Sequence, residues 1–399
     1  MRRAAIVTPL RTPIGRFMGT LKDLPAEALA THVIRAVLER SRIDPERIDD
    51  VIFAQGYPNG EAPAIGRWAA LAAGLPIKVP GYQVDRRCGG GLQAILNAAM
   101  MVQVGMADVV LAGGAESMSN VEYYTIAMRG GARAGSVQLF DRLDRSRERS
   151  QPIERFGPIS GMIETAENLA RDYHITRAAA DEYAAESHRR AAAAWEAGRF
   201  KTEVVDIPVP QRSGDSIMFS RDEGVRADTT VEKLAKLKPV MRDGIVTAGN
   251  ASQQNDAAAA CLVVAEDALA RLNLEPLAYF VGGAVVGCDP SRMGLGPVPA
   301  VQRLFERLKL GWDQIDLVEL NEAFAPQVLA VLKGWQFDDL SRINVNGSGI
   351  SLGHPIGATG ARILATLLHE LQRRRGRYGL ETMCIGGGQG IAALFERAC

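Results

Sequence analysis

Tyr82-Gln83-Val84-Asp85-Arg86-Arg87-Cys88-Gly89-Gly90-Gly91 reads as an extended segment running into a glycine cluster. A long uncharged helix follows (Leu92–Gly105), then the strand Val109-Val110-Leu111-Ala112 and a second glycine pair, Gly113-Gly114. The same order recurs late in the chain. An extended segment near Asn344 meets Gly347 and Gly349, the helix Gly357–Arg373 follows, and Met383-Cys384-Ile385 leads into Gly386-Gly387-Gly388. Four elements repeated in one order predict a duplicated α/β half.

Working outward, apolar β-branched runs alternate with helical stretches, the pattern of layered α/β folds. Strands are expected at Ala4–Thr8, Asp50–Gln55, Ala107–Ala112, Ala260–Ala265, Tyr279–Val286, Asp316–Leu320 and Glu381–Ile385. Further helices are expected at Ala26–Ser41, Met162–Tyr173, Arg177–Ala197, Val298–Leu308 and Ala323–Leu332. Residues from about Ser119 to Val246 are richer in Arg, Asp and Glu and poor in strong strands, which reads as a large insertion covering a site.

The chain has 399 residues, 47% of them hydrophobic, enough for a large core. Lys+Arg and Asp+Glu balance at 46 each, so no general field attracts nucleic acid or an anionic membrane. The five cysteines (Cys88, Cys261, Cys288, Cys384, Cys399) are widely spaced and form no CxxC pair. That argues against a disulfide framework and a zinc site, and for a reducing compartment. The amino terminus enters a strand directly, and the run Cys88–Ala107 carries Gln93, Asn97 and Gln103. The expectation is a cytoplasmic protein without a membrane span.

Cys88 falls where a helix begins. Free N–H groups and the helix dipole there favour a thiolate, while the alternative is an inert buried cysteine. His354, in Leu352-Gly353-His354-Pro355, sits in a loop whose proline holds it extended. It reads either as a base or oxyanion donor or as a structural histidine. His174, His188 and His369 read as surface residues, and His32 has no partner signal. Cys384 closes a strand in front of a glycine loop, where α/β ligand sites collect. Asn321-Glu322-Ala323-Phe324 follows a strand. There Asn321 reads as a helix N-cap or as a holder of water or an oxyanion, and Glu322 as a complement to the helix dipole.

These segments, taken together and in order, resemble the thiolase family. Arg11-Thr12-Pro13-Ile14-Gly15 resembles its opening turn, and Cys88-Gly89-Gly90-Gly91-Leu92 its nucleophile loop. Asn321-Glu322-Ala323-Phe324, Gly353-His354-Pro355-Ile356-Gly357 and Cys384-Ile385-Gly386-Gly387-Gly388 resemble the other signature blocks. The resemblance implies a thiolase fold, two duplicated halves in a five-layered αβαβα sandwich. The first half would span 1–118 plus about 247–268, an inserted loop domain over coenzyme A 119–246, and the second half 269–399. It also implies a homotetramer or homodimer and small-molecule acyl-CoA substrates, with no tightly bound cofactor and no metal. The setting would be fatty-acid metabolism, β-oxidation included.

The same resemblance assigns roles. His354 takes the proton of Cys88, which becomes acylated, and Cys384 moves the α-proton of acetyl-CoA. Asn321 holds a water that, with His354, serves the enolate, while the amides of Cys88 and Gly386 serve the tetrahedral intermediate. The segment Val246–Ser252, with Ala248 and Ser252, lines the pantetheine channel. Arg226 lies near the adenine and phosphates, or is a solvated loop charge. Met162, Met293 and Phe324 line the acyl end or simply fill the core. Gly90, Gly161, Glu164 and Gln253-Gln254 depart from the family pattern and leave chain length open between short acyl groups and longer or aromatic ones. A non-catalytic acyl-CoA or lipid-binding protein is opposed by the filled reactive positions. A ketoacyl synthase is opposed by Cys384.

Overall fold

The computed structural model describes residues 2–398 except Ala127 and Ser213; Cys399 and its sequence reading lie outside the described residues. Nine strands give the frame: β1 (Ala4–Arg11), β2 (Asp50–Ala54), β3 (Tyr82–Val84), β4 (Val109–Ser117), β5 (Asn255–Ala265), β6 (Ala278–Gly287), β7 (Leu317–Leu320), β8 (Tyr378–Ile385) and β9 (Gln389–Arg397). With the short strand Gly15–Arg16 beside β5 they form one ten-stranded sheet, ordered β7-β8-β9-β6-β1-β5-β4-β2-β3. The centre of that order is the junction of two halves, where β1 meets β6 through Ala4↔Phe280, Ala5↔Tyr279 and Ile6↔Ala278.

The halves repeat one pattern. In the first, β2 and β4 are parallel and β5 and β1 antiparallel. In the second, β7 and β8 are parallel, with β9 and β6 antiparallel. A parallel bridge, Val318↔Ile343, stands where β3 pairs β2 in the first half.

Eight helices matter here: α1 (Ala26–Ser41), α2 (Ile65–Ala73), α3 (Gly90–Gln103), α4 (Met162–Asp172), α5 (Arg177–Glu196), α6 (Pro297–Leu308), α7 (Ala325–Trp335) and α8 (Thr359–Arg374). In α1 the buried Leu29, Ala30, Val33, Ile34 and Val37 follow the helical repeat and pack on the first half with α2. Val301, Leu304, Val328 and Val331 of α6 and α7 cover the outer face of the second half. Between the half-sheets lie α3 and α8, both buried over most of their length, which is why α3 reads as a helix without charges. They touch through glycine: a Cβ on Gly360 would lie 2.1 Å from the Leu92 nitrogen, and one on Gly91 2.8 Å from that of Ala361. The five layers expected from the resemblance are therefore present. Among the described residues no helix is long and apolar enough to cross a membrane.

Within 119–246 the strands are short: Tyr123–Tyr124 with Phe140–Asp141, and Ile207–Pro210 with Ser216–Phe219. Buried Arg11 at the end of β1 ties this segment down. Its Nε donates to Glu203 at 2.7 Å, and its Nη1 and Nη2 to Asp222 at 2.8 and 3.0 Å.

Several expectations need correction. Gly113-Gly114 lies inside β4, not at its end, because a Cβ there would meet the carbonyl oxygens of Ala259 and Gly357 at 2.2 and 2.0 Å. The elements α2 and β9 escaped the sequence reading: α2 is only nine residues long, and β9 has Ile391 as its one β-branched residue. The helix expected from Ala323 starts at Ala325 with Pro326 in its first turn, so Asn321 is no N-cap and Glu322 does not sit on a helix end. His188 is not a surface residue: it is 4% exposed.

Candidate active site

A cavity of about 360 Å³ opens where the carboxyl ends of both halves meet the 119–246 segment. Cys88, His354 and Cys384 all line it, together with Met162, Met293 and Phe324. Each arrives by a different route. Cys88 stands in the single 3₁₀ turn Arg87–Gly89 that begins α3. Cys384 is the penultimate residue of β8, buried with Met293 and Phe324. His354 lies in the loop before α8, 7% exposed.

The hydrogen bonds of His354 favour one tautomer. Its backbone N–H donates to Asn255 Oδ1 at 2.8 Å, and Nδ1 lies 2.7 Å from Thr359 Oγ1. The Thr359 hydroxyl donates its one hydrogen to the Pro355 carbonyl at 3.0 Å. With that hydrogen spent, Oγ1 accepts from the ring, which puts the proton on Nδ1 and leaves Nε2 unprotonated. Burial, with the Arg362 charge adding to it, pushes the His354 pKa down to about 3, so the resting imidazole is neutral.

The thiols are neutral as well. Burial raises the Cys88 pKa and outweighs the Gly386 amide, which bonds the sulfur, and the Arg87 charge, both of which lower it. The helix start favours a thiolate, and burial opposes it more strongly. Desolvation wins, and ionisation requires a base. Cys384 is raised further, first by burial and then by the charges of Cys88 and Cys288. A neutral Cys88 thiol on the same cavity as a neutral imidazole ionises by giving its proton to a base, and a protonated Cys384 can give a proton to a carbon held in the cavity but can take one only as its thiolate.

Asn321 is not in the cavity wall but close behind it. Its Nδ2 lies 3.5 Å from the His354 ring nitrogens, and its buried Oδ1 has no partner among the described residues. Gly349 must be bare, since a Cβ there would lie 2.8 Å from Asn321 Oδ1 and 2.6 Å from the Glu322 carbonyl oxygen. Glu322 acts as a buried tie: it accepts from Tyr183 Oη (2.9 Å), Ser187 Oγ (2.7 Å), Asn344 Nδ2 (3.1 Å) and the Ile350 amide (3.1 Å).

Ser252 lines the cavity, with Gln253 and Gln254 beside it. Gln253 Nε2 donates to the Gly224 and Ile350 carbonyls at 3.2 Å each. Ala248 and Arg226 are exposed and outside the wall. The Arg226 amide donates to His188 Nδ1 at 3.2 Å. Burial, then the Arg226 charge, pushes His188 down to about 4. Sequence reasoning missed Asn255 and Thr359, the two partners of His354. Asn255 lies in the polar run Ser252-Gln253-Gln254-Asn255-Asp256 and Thr359 at the start of a helix, and neither place marks a bond to His354.

Two family models cover this arrangement, "Thiolase, N-terminal domain" over residues 4–267 and "Thiolase, C-terminal domain" over residues 274–397. The chain belongs to the thiolase family. As a thiolase it is an acyltransferase. Beta-ketothiolase BktB of Cupriavidus necator is 46% identical, with 99% of each chain covered. An acetyl-CoA acetyltransferase of Pseudomonas aeruginosa is also 46% identical over the whole of both chains. The beta-ketoadipyl-CoA thiolase of Acinetobacter baylyi is 41% identical, again end to end. The crystal structure of the Bacillus anthracis acetyl-CoA acetyltransferase superposes with a TM-score of 0.95 at 43% identity, covering 100% of this chain and 99% of that one. Human mitochondrial 3-ketoacyl-CoA thiolase in complex with CoA gives 0.93 at 42%, covering 100% and 98%.

Proposed function

We propose that this thiolase joins a short acyl group to acetyl-CoA, and cleaves the 3-oxoacyl-CoA product in reverse, through an acyl-Cys88 intermediate. The reading is carried by Cys88, His354 and Cys384 meeting on one cavity, with His354 presenting a free Nε2. The Cys88 proton passes to Nε2 as sulfur attacks the thioester carbonyl. The amides of Cys88 and Gly386 take the oxyanion, and coenzyme A leaves with the proton. Acetyl-CoA then enters, and Cys384 as its thiolate removes the α-proton. His354 and a water on Asn321 stabilise the enolate, whose carbon attacks acyl-Cys88 and displaces the Cys88 sulfur as a thiolate, which recovers the proton from Cys384. One preorganised oxyanion donor is worth roughly 2.7–4 kcal/mol of barrier.

Met162, Met293 and Phe324 crowd the reacting end, which favours a short acyl chain. Ser252 and Ala248 belong to the pantetheine side, and Arg226, anchored on His188, to the phosphate side, with residues 119–246 as the cover over coenzyme A. The domain division at 118, 246 and 268 follows from that role. A homotetramer or homodimer suits the edge strand β3, flanked by exposed Trp68, Leu71 and Met100. A reducing cytoplasm suits two working thiols.

Acetoacetyl-CoA and free coenzyme A should give acetyl-CoA, with an acetyl group on Cys88 in the mass spectrum of the trapped enzyme. Cys88→Ala should remove both signals, and turnover by that variant would overturn the mechanism. A thiolysis panel of rising chain length tests the short-chain assignment, which fails if kcat/KM rises with length.

A further inference from the structure

We infer that Glu116 is a positioning residue that locks the nucleophile turn and the base loop to each other. The inference rests on the proposed partnership of Cys88 and His354. Glu116 is fully buried near the end of β4 and has no part in the chemistry described above. Its Oε2 accepts from the amides of Gly56 and Gly357, each at 2.8 Å, and its Oε1 from the Tyr57 amide at 3.3 Å. One carboxylate oxygen thus joins two loops that are remote in sequence.

Each loop leads to a reacting group. Gly357 lies between His354 and Thr359, the residue that sets the His354 tautomer. Gly56 leads to Cys88: its carbonyl accepts from Arg87 Nη1 at 3.1 Å. Arg87 immediately precedes the nucleophile and has a φ of +46°, a left-handed backbone that a non-glycine residue keeps only when its surroundings hold it. Asp85 Oδ1 holds its amide at 2.9 Å, and the Gly56 carbonyl holds its guanidinium. The junction leaves no slack. A Cβ on Gly56 would lie 2.9 Å from Glu116 Oε2 and 2.4 Å from Ile356 Cγ2, and one on Gly357 would lie 2.8 Å from the Ala115 carbonyl oxygen. Buried amides without an acceptor relax toward other partners, so losing Oε2 frees both loops to shift, and sub-ångström shifts at a reacting pair slow chemistry more than they slow binding.

The test compares Glu116→Ala with Glu116→Gln. The amide of Gln keeps one oxygen, enough for Gly56 and Gly357, and loses only the longer Tyr57 bond. In folded Glu116→Ala, kcat for acetoacetyl-CoA thiolysis should fall at least about thirtyfold with KM within about threefold, and Cys88 alkylation by iodoacetamide should slow in parallel. Glu116→Gln should recover most of both. Amide exchange supplies a readout independent of turnover. Gly56 and Gly357 should exchange slowly in the wild type and remain slow in Glu116→Gln, whether or not Glu116→Ala folds. The inference is overturned by a folded Glu116→Ala with kcat within threefold of wild type, by Glu116→Gln falling as far as Ala, or by fast exchange at Gly357 in the wild type. Failure of the wild type to make acetyl-CoA would sink the proposed function and leave the exchange result standing.

Discussion

Thr359→Val removes one oxygen and keeps the side-chain shape. In the native site Oγ1 accepts the Nδ1 proton of His354 at 2.7 Å and hands its own hydrogen to the Pro355 carbonyl. That carbonyl keeps a donor in the variant, because the Ala358 amide also reaches it, at 2.7 Å. The whole loss therefore falls on His354. A buried N–H left without a partner costs about 1–3 kcal/mol. That cost applies to the tautomer with a free Nε2 and to the imidazolium that follows proton uptake. At 1.36 kcal/mol per factor of ten, kcat should fall roughly 5- to 150-fold. KM should stay near wild type, since Thr359 is not in the cavity wall. Loss of 3-oxoacyl-CoA absorbance during thiolysis measures the rate, and iodoacetamide alkylation of Cys88 reads the proton transfer without turnover. Thr359→Ser should restore both. A Thr359→Val enzyme with wild-type kcat and alkylation rate would refute the tautomer argument.

Cys384→Ser should leave acylation of Cys88 by acetyl-CoA intact while condensation collapses by orders of magnitude; loss of acylation first would reverse the roles. Gly349→Ala drives a methyl toward Asn321 Oδ1 and the Glu322 carbonyl, so it should cost about 1–3 kcal/mol of stability and lower kcat, checked by thermal melting and thiolysis. Acid stability carries a sign that can be worked out. His188 has its folded pKa lowered from 6.5 to about 4, so the unfolded chain binds the proton first. Its stabilisation is complete above pH 6.5 and is lost as pH falls toward 4, on the order of 3 kcal/mol in all. His188→Gln should flatten the fall of Tm across that window, and an unchanged slope would remove His188 as its source.

The architecture was legible because the chain writes it twice. The glycine turns at 89–91 and 347–349, the helices α3 and α8 and the strands β4 and β8 that follow them mark equivalent places in two halves. The reactive side chains were legible for the same reason: Cys88 and His354 stand in front of α3 and α8, and Cys384 stands where β8 meets a glycine turn. What escaped was what only packing decides. Neither Thr359 nor Asn255 carries a local signal of its bond to His354, since Asn255 is 99 residues away. The burial of Cys88 was not legible, because helix-end electrostatics shows in the sequence and desolvation does not. Asn321 looked like a helix cap because strand-then-Asn is the usual cap pattern, whereas Pro326 sets the true start. His188 looked solvated among arginines because the cover that buries it comes from residues near Arg226.

The seam between the halves also bears on how the chain is made. Ala4 pairs with Ala265 on one side and Phe280 on the other. During synthesis β1 thus has no sheet partner until β5, about 250 residues later, has been made. At 5–20 residues per second that wait lasts roughly 15–50 s. During it an apolar strand, Ala4-Ala5-Ile6-Val7, stays unpaired, and the contacts that finally bury it are among the most remote the chain makes. The same hydrogen bonds that hold two half-sites in one rigid body therefore make the nascent protein slow to fold and a natural client for chaperones.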